Sequence, residues 1–573
     1  MAQRGGVMTG PRPNTEKNKA KAKVKKVAKG KKKKTGANGA AHPANNAQPA
    51  AAGNRPIIRM NTGEHSDIVN LTETMLIEAG VPLYQRGEAL VRPIISEVDA
   101  SHGRRTKVAQ LAQLSSIYLR DLMCRHCDFY RFDKRAGDWV RALAPIAVAN
   151  TLRERNGDWN VPTLVGVISC PTLRPDGSLL ATQGFDPATQ LLLVEPPAMP
   201  PIPDKPARKD AIAALKLLKN LLTEFPFVDK VSEAVALCGI ITPVVRGAFP
   251  VSPLNVARAA IPGSGKSYLW DIASSISCGQ LMPVMAAGAN EEELEKRLGA
   301  SLLAGQPLIS IDNVNGELGG DALCQAIERP IVDVRILGKS EKVRIEARGT
   351  TLFCTGNNIT LVGDLCRRAI TSTLDPEMER PELRQFKHDP VGMILEDRGK
   401  YIAAALTIVR AYIVAGRPDP AAKLASFEGW SDNVRSALIW CGEDDPVISM
   451  EVAHDEDPQR AELADMISVW ADEFDVGYDH RITLSSLIEQ AEETMQTFNG
   501  FEPKLPELLT ILQQITQTKR GQKLNILTLG RWVRTNKGRI INGMRFANES
   551  NPKGGSTWWI EEVKPATTTT EVV

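Results

Sequence analysis

The stretch Ala260-Ile261-Pro262-Gly263-Ser264-Gly265-Lys266-Ser267 constrains this 573-residue chain more than any other. An apolar, strand-like run, Leu254-Asn255-Val256-Ala257, precedes it, and Tyr268 to Ala273 continue it as a helix. A strand that turns through glycines into a helix N-terminus aims backbone N–H groups and a positive partial charge at one point, which suits a phosphate. In the pattern Gly-x4-Gly-Lys-Ser/Thr the lysine reaches the terminal phosphates and the hydroxyl takes one Mg²⁺ position. Pro262, Gly263, Ser264, Gly265, Lys266 and Ser267 are therefore the candidate nucleotide-binding residues. Ala260 stands where the first glycine is expected, a change that a negative φ tolerates.

Two further strands complete the pattern. Pro307 to Asn313 is an apolar run that closes on a carboxylate 46 residues past Lys266. Asp312 there would hold Mg²⁺ through water, beside Ser267. An acid usually follows to polarise the attacking water. Asn313 occupies that place, and Glu317 is the nearest substitute. The run Thr351 to Asn358 ends in amides 45 residues after Asp312. A neutral amide on a neighbouring strand orients water against a γ-phosphate without adding charge, and Asn357 and Asn358 are equal candidates. Between these runs, Val332–Leu337 and Lys342–Ala347 alternate around Gly338-Lys339-Ser340-Glu341, which predicts a β-hairpin. Its Lys339, Lys342 and Arg344 are candidate contacts to a DNA backbone. Arg367 or Arg368, offered to a neighbouring subunit's γ-phosphate, would stabilise charge in the transition state. Arg384 is another candidate sensor of nucleotide state.

The ordered set Ala-x2-Gly-x-Gly-Lys-Ser, Ile-Asp-Asn, Thr-Gly-Asn-Asn and Asp-Leu-x-Arg-Arg resembles the helicase module of phage and prophage primase-helicase proteins. These are relatives of superfamily 3 helicases within the AAA+ ATPases. Pro171 to Gly177, followed by Gly184-Phe185-Asp186, is similar to the segment that precedes the motor in those proteins. The resemblance spans residues 60–420. It implies an AAA+-like phosphate-loop core using ATP and Mg²⁺, and a homo-oligomeric, hexameric ring that moves on single-stranded or forked DNA. It also implies a DNA-gripping role for the hairpin and a bacterial cytoplasmic setting of phage or prophage origin. The metal-binding acids of a primase are not evident.

Charge is distributed unevenly. Residues 1–35 hold thirteen Lys and Arg against one Glu, a net of +12, whereas the other 538 residues hold 57 basic and 66 acidic side chains, a net of −9. Residues 1–55 carry almost no large apolar side chains and are expected to be a disordered basic arm that attracts polyanions. Nine irregularly spaced cysteines do not form a disulfide framework. Cys124-Arg125-His126-Cys127 has no second pair at zinc spacing, so buried structural thiols are expected. No apolar run is long enough to span a membrane.

The expected order is the arm (1–55), an α/β N-terminal domain (56–195) and a Pro-rich linker (196–207). The motor (208–420), a helical bridge (421–480) and a winged-helix-like domain (481–573) follow. Within them, Lys107–Leu122, Met393–Ala415, Trp430–Trp440 and Arg460–Phe474 read as helices. Ile212, Leu215, Leu218, Leu222 and Phe225 read as one helical face. In the last domain, the helix Leu524–Thr535 and its following turn present Arg531, Arg534 and Lys537 toward DNA phosphates, with short strands at 539–541, 544–547 and 557–561. Two other function classes fit the same residues: an ATP-binding DNA-associated regulator without helicase activity, and an ATPase that remodels a protein.

Overall fold

The computed structural model describes residues 55–61, 64–99, 105–288, 290–335, 342–497, 500–519, 522–551 and 555–563. The basic arm, but for its last residue, and Lys339 lie outside them. Among the described residues, the three largest hydrophobic cores follow one another along the chain: residues 58–161, 170–453 and 463–560.

The first core lies under a three-stranded sheet. Strand β1 (Ile57–Met60) pairs in parallel with β2 (Asp128–Asp133), which pairs antiparallel with β3 (Asp138–Ala142). Strand side chains alternate between faces. Ile58 and Phe129 accordingly point inward and pack on the helices His65–Glu78, Ser116–His126 and Ile146–Arg153. The expected helix over 107–122 is corrected. Arg105–Gln113 is a strand paired antiparallel with Ala89–Asp99, and the helix begins only at Ser116. Ser115 sets that start by accepting a hydrogen bond from the Tyr118 N–H at 3.2 Å. The apolar spacing of Val108, Leu111 and Leu114 suits either period, and the pairing partner decides it. Cys127 is buried and Cys124 half-buried. No metal-ligand cluster exists among the described residues.

The second core surrounds a parallel five-stranded sheet, so the molecule is mixed α/β. Its strands are β4 (Leu254–Ala259), β5 (Val284–Ala286), β6 (Leu308–Leu318), β7 (Thr351–Leu361) and β8 (Ala369–Leu374), in the order β5-β6-β7-β4-β8. A parallel strand covered on both faces must be apolar along its length. Leu308, Ile309 and Ile311 of β6 and Leu352, Phe353 and Cys354 of β7 are all buried. Helix α1 (Lys266–Cys278) follows β4 directly and ends at Gly279, whose φ of 76° caps it. The hairpin pairs Ile331–Arg335 with Lys342–Glu346.

Several expected boundaries move. Met393–Ala415 is two helices, Pro390–Glu396 and Arg398–Val414, because the Asp397 side chain caps the second by accepting from Lys400 N at 3.3 Å. The 421–480 bridge is shared. Trp430, Val434 and Leu438 join the second core, and Leu463, Met466 and Trp470 join the third. Cys170 and Leu173, placed before the Pro-rich linker, also belong to the second core. Leu215 and Leu218 are buried as expected, but Ile212 is exposed, and the helix stops at Lys219, before Leu222 and Phe225.

The third core joins the helices Pro458–Phe474, Leu484–Glu492, Pro506–Thr516 and α2 (Ile526–Asn536) to a three-stranded antiparallel sheet. That sheet runs Ile482–Thr483, Gly555–Glu562, Met544–Asn551 in spatial order. The strand expected at 539–541 is a turn closed by an Ile541–Met544 bridge.

Buried arginines tie the first segment to the second. Arg86 donates to the carbonyls of Val165, Leu302 (2.8 Å) and Glu346 (3.3 Å). Arg398 donates to the carbonyls of Ser169 (3.3 Å) and Ser277 (2.6 Å). Among the described residues, no helix is long and apolar enough to cross a membrane.

Candidate nucleotide site

Strands β4, β7 and β6 lie side by side, and the C-terminal end of β4 meets the middle of β7 and β6 at one cleft. The loop after β4 reverses through Gly263 (φ 75°) and Gly265 (φ 97°), left-handed conformations that other residues adopt at a cost. Ala260 does not take a positive φ, so it fits the position usually held by glycine. Ser264 Oγ donates to the Ile261 carbonyl at 2.5 Å, which closes the loop on itself.

Lys266 begins α1 and is only 8% exposed. Its ammonium donates to the Ile261 carbonyl at 3.0 Å and to Asn357 Oδ1 at 2.7 Å. Burial lowers its pKa below the usual 10.5, opposed in part by Asp312. Ser267, one residue on, donates through Oγ to Asp312 Oδ1 at 3.3 Å. A lysine, a hydroxyl, a carboxylate and an amide thus meet in one cleft of ≈ 440 Å³.

Two β-bulges bring them together. Ile311 pairs with Cys354 and Val314 with Gly356, so Asp312 and Asn313 together oppose Thr355. Further along the same pair, Asn315 pairs with Asn357 and Gly316 with Ile359, which leaves Asn358 unpaired. A bulge re-aims the side chains beside it, and its extra residue often takes a left-handed backbone. Asn313 (φ 58°) and Asn358 (φ 51°) do so. Asparagine tolerates that region better than most residues. This accounts for an amide where a second acid was expected.

The strands expected to end at Asp312 and the asparagines run on to Leu318 and Leu361 instead. Of the two asparagines, Asn357 lines the cleft and contacts Lys266, whereas Asn358 is exposed and does not line it. Glu317 is exposed and pairs with Thr360, well along the extension. Asp312 is the only carboxylate among the residues lining the cleft.

Sequence reasoning missed Thr355. Its hydroxyl donates to Asp312 Oδ1 and accepts from Asn313 N at 3.3 Å, which fixes the carboxylate. The signal was its place in the Thr-Gly-Asn-Asn run, one strand across from Asp312. A second pocket, of ≈ 230 Å³, was also missed. It adjoins the other side of the loop and is lined by Phe225, Tyr268, Phe386 and His388 beside Gly263 to Gly265. Phe225 and Tyr268 stack at 6.3 Å and 17°. The Tyr268 hydroxyl donates to Asp389 at 2.8 Å, and burial together with that carboxylate pushes it up to about 12. Arg384 lines this pocket, donates to the Glu224 carbonyl at 2.7 Å and lies 5.1 Å from the Phe386 ring.

The other candidates are placed as follows. Arg367 is exposed on a 3-10 turn after β7 and pairs with Asp364 at 2.5 Å. Arg368 is corrected as a side chain offered to a neighbour. It is 5% exposed and forms ion pairs with Glu328 and Asp364, inside its own fold. On the hairpin, Val343 and Ile345 point into the core and leave Lys342 and Arg344 exposed, with Arg344 3.4 Å from Asp333. Arg531 and Lys537 are exposed at α2, and Arg534 Nε donates back to the Gly530 carbonyl at 2.7 Å.

The chain matches no family model and no curated protein. Among solved structures it is similar to the apo C-terminal region of NrS-1 (305–718), with a TM-score of 0.36, 12% identity, and coverage of 87% of this chain and 100% of that one. Another apo structure of the same region gives 0.34, 11%, 86% and 98%. A further form gives 0.31, 12%, 78% and 99%, and likeness at this level settles no chemistry.

Proposed function

We propose that this chain is an ATP-dependent DNA helicase or translocase of the AAA+ class, acting in replication of a phage or integrated element. The observation that carries this reading is the convergence of Lys266, Ser267, Asp312 and Asn357, which come from the first turn of α1 and from two adjacent strands, β6 and β7.

The residues fit a Mg²⁺-nucleotide. The turn from Gly263 to Ser267 offers N–H donors at a helix start, and Lys266 supplies the cation. Ser267 and Asp312 offer two adjacent oxygens of the kind a hard divalent ion takes. A Cβ added at Gly263 would sit 3.2 Å from Glu382 N, a tight approach at a φ of 75° that already strains any other residue. The flat apolar pocket of Phe225 and Tyr268 suits a purine base on the far side of the loop. Bound Mg²⁺ supplies charge neutralisation on the phosphates. Lys266 binds the terminal phosphate, Thr355 holds Asp312 in place, and Asn357 orients water. The exposed Arg367 is the side chain available to an adjoining subunit of a ring. The exposed Lys342 and Arg344, with Lys339, would grip the strand, while Arg531, Arg534 and Lys537 of a winged-helix-like domain would contact phosphates.

The test is ATP turnover with and without single-stranded DNA, and separation of a forked duplex with ATP or a non-hydrolysable analogue. DNA-stimulated turnover that Lys266→Ala abolishes supports the motor. Equal strand separation in the two nucleotide conditions overturns it. A second reading rests on Asn313: without a second carboxylate in the cleft, the protein is an ATP-held DNA-associated switch. That reading expects nucleotide and DNA binding without turnover.

A further inference from the structure

The sheet β1-β2-β3 has one face in the N-terminal core and one face that is open among the described residues. Alternation puts Ile57 and Arg59 of β1, Tyr130 and Phe132 of β2, and Trp139 and Arg141 of β3 on that outer face. Leu143 continues the same alternation just past β3. Ile57 is 58% exposed, Phe132 50% and Leu143 72%, an unusual amount of apolar surface for one small sheet.

Three rings share the face. Phe132 and Trp139 are cross-strand partners whose rings meet edge-on at 5.7 Å and 71°. The Arg59 guanidinium lies 5.6 Å from the Trp139 ring, which holds the indole in place. Tyr130 precedes Phe132 by two residues, so their side chains emerge about 7 Å apart along the strand.

Charge separates nucleic acid from protein as the occupant. Arg59 and Arg141 flank the rings, and the exposed Lys134 and Arg135 form the β2–β3 turn. Asp128 pairs with Arg141 at 2.5 Å and offsets its charge, while Asp133 accepts from Arg135 N at 2.8 Å and Asp138 from Trp139 N at 2.7 Å, so these two stay anionic against Arg59, Lys134 and Arg135. The lysine-rich first 35 residues lie 21 residues before β1 in sequence. Aromatic rings on an open sheet, edged by arginines, are a surface on which unpaired bases stack while the cations meet phosphates.

We propose that the outer face of β1-β2-β3 binds single-stranded nucleic acid by base stacking on Phe132, Trp139 and Tyr130. This site is separate from the nucleotide cleft and does not depend on ATP turnover.

The test uses the full chain without nucleotide. Its affinity is measured by fluorescence anisotropy for oligothymidylate, for oligouridylate and for an abasic strand, each of about 15 nucleotides. The intact strands are expected to bind more tightly than the abasic one. Phe132→Ala and Trp139→Leu are each expected to weaken the intact strand by about 5- to 150-fold and the abasic strand little. Preference between the thymidine and uridine strands tells whether DNA or RNA is the partner. Melting temperature and DNA-free ATP turnover serve as controls. Trp139→Phe, which keeps a ring, is expected to restore most of the affinity. Equal wild-type affinity for intact and abasic strands would overturn the proposal, leaving charge alone or a protein partner as the use of this face. So would a Phe132→Ala chain that folds and binds unchanged. Lys266→Ala should leave this binding intact, so failure of the motor reading and failure of this one are told apart.

Discussion

At Asn357, one amide oxygen sits 2.7 Å from a lysine ammonium in the cleft, while its neighbour Asn358 serves the backbone. Asn357→Ala should lower kcat by about 10²-fold with KM little changed, the pattern for a group acting chiefly in the transition state. Asn358→Gly should leave turnover near wild type, because glycine takes the left-handed backbone freely. Steady-state kinetics on the two variants separate the roles. Lys266 adds a pH dependence. Its lowered pKa means that, without nucleotide, this ammonium gives up its proton at a lower pH than an ordinary lysine does. Nucleotide affinity should therefore fall as pH rises through that lowered value, and binding near it should take up a proton, because phosphate restores the charged form. Calorimetry in buffers of differing ionisation enthalpy reads both. Arg367 and Arg368 are alike in sequence. Only burial against Glu328, forty residues away, makes the second a structural ion pair. The neighbouring asparagines were equally ambiguous until the strand register was seen.

At the scale of elements, the paired bulges in β6 and β7 shape the site. A Cβ at Gly356 would lie 2.0 Å from the Val314 carbonyl, so the two strands approach there as only glycine permits. Gly356→Ala should cost about 1–3 kcal/mol of stability or more and weaken nucleotide binding as Asp312 shifts. Chemical denaturation and nucleotide titration check the two effects. The existence of these strands was legible because buried parallel strands must be apolar. Their length was not, since Asn313-Val314-Asn315 reads as a turn unless a neighbouring strand carries it onward. The same limit applies to 105–113, where pairing with Ala89–Asp99 outweighs a helical spacing.

For the whole molecule, composition separated the basic arm from an acidic body, and the three motif strands announced a mixed α/β core. The boundaries between cores were less legible. Cys170 and Leu173 reach the second core from before the proline-rich stretch, a packing of residues far apart in sequence. Removing residues 1–54 should make DNA binding less sensitive to salt, with the log–log slope reduced by about 0.7 for each phosphate the arm neutralises. Titrations at several salt concentrations measure it, with DNA-free ATP turnover unchanged. Arg86 carries a mechanical consequence. One guanidinium clamps the foot of the hairpin at Glu346 to Leu302 and to the N-terminal segment at Val165. Any movement of the hairpin must then pivot outboard of that rivet, within the short pairing of Ile331–Arg335 with Lys342–Glu346.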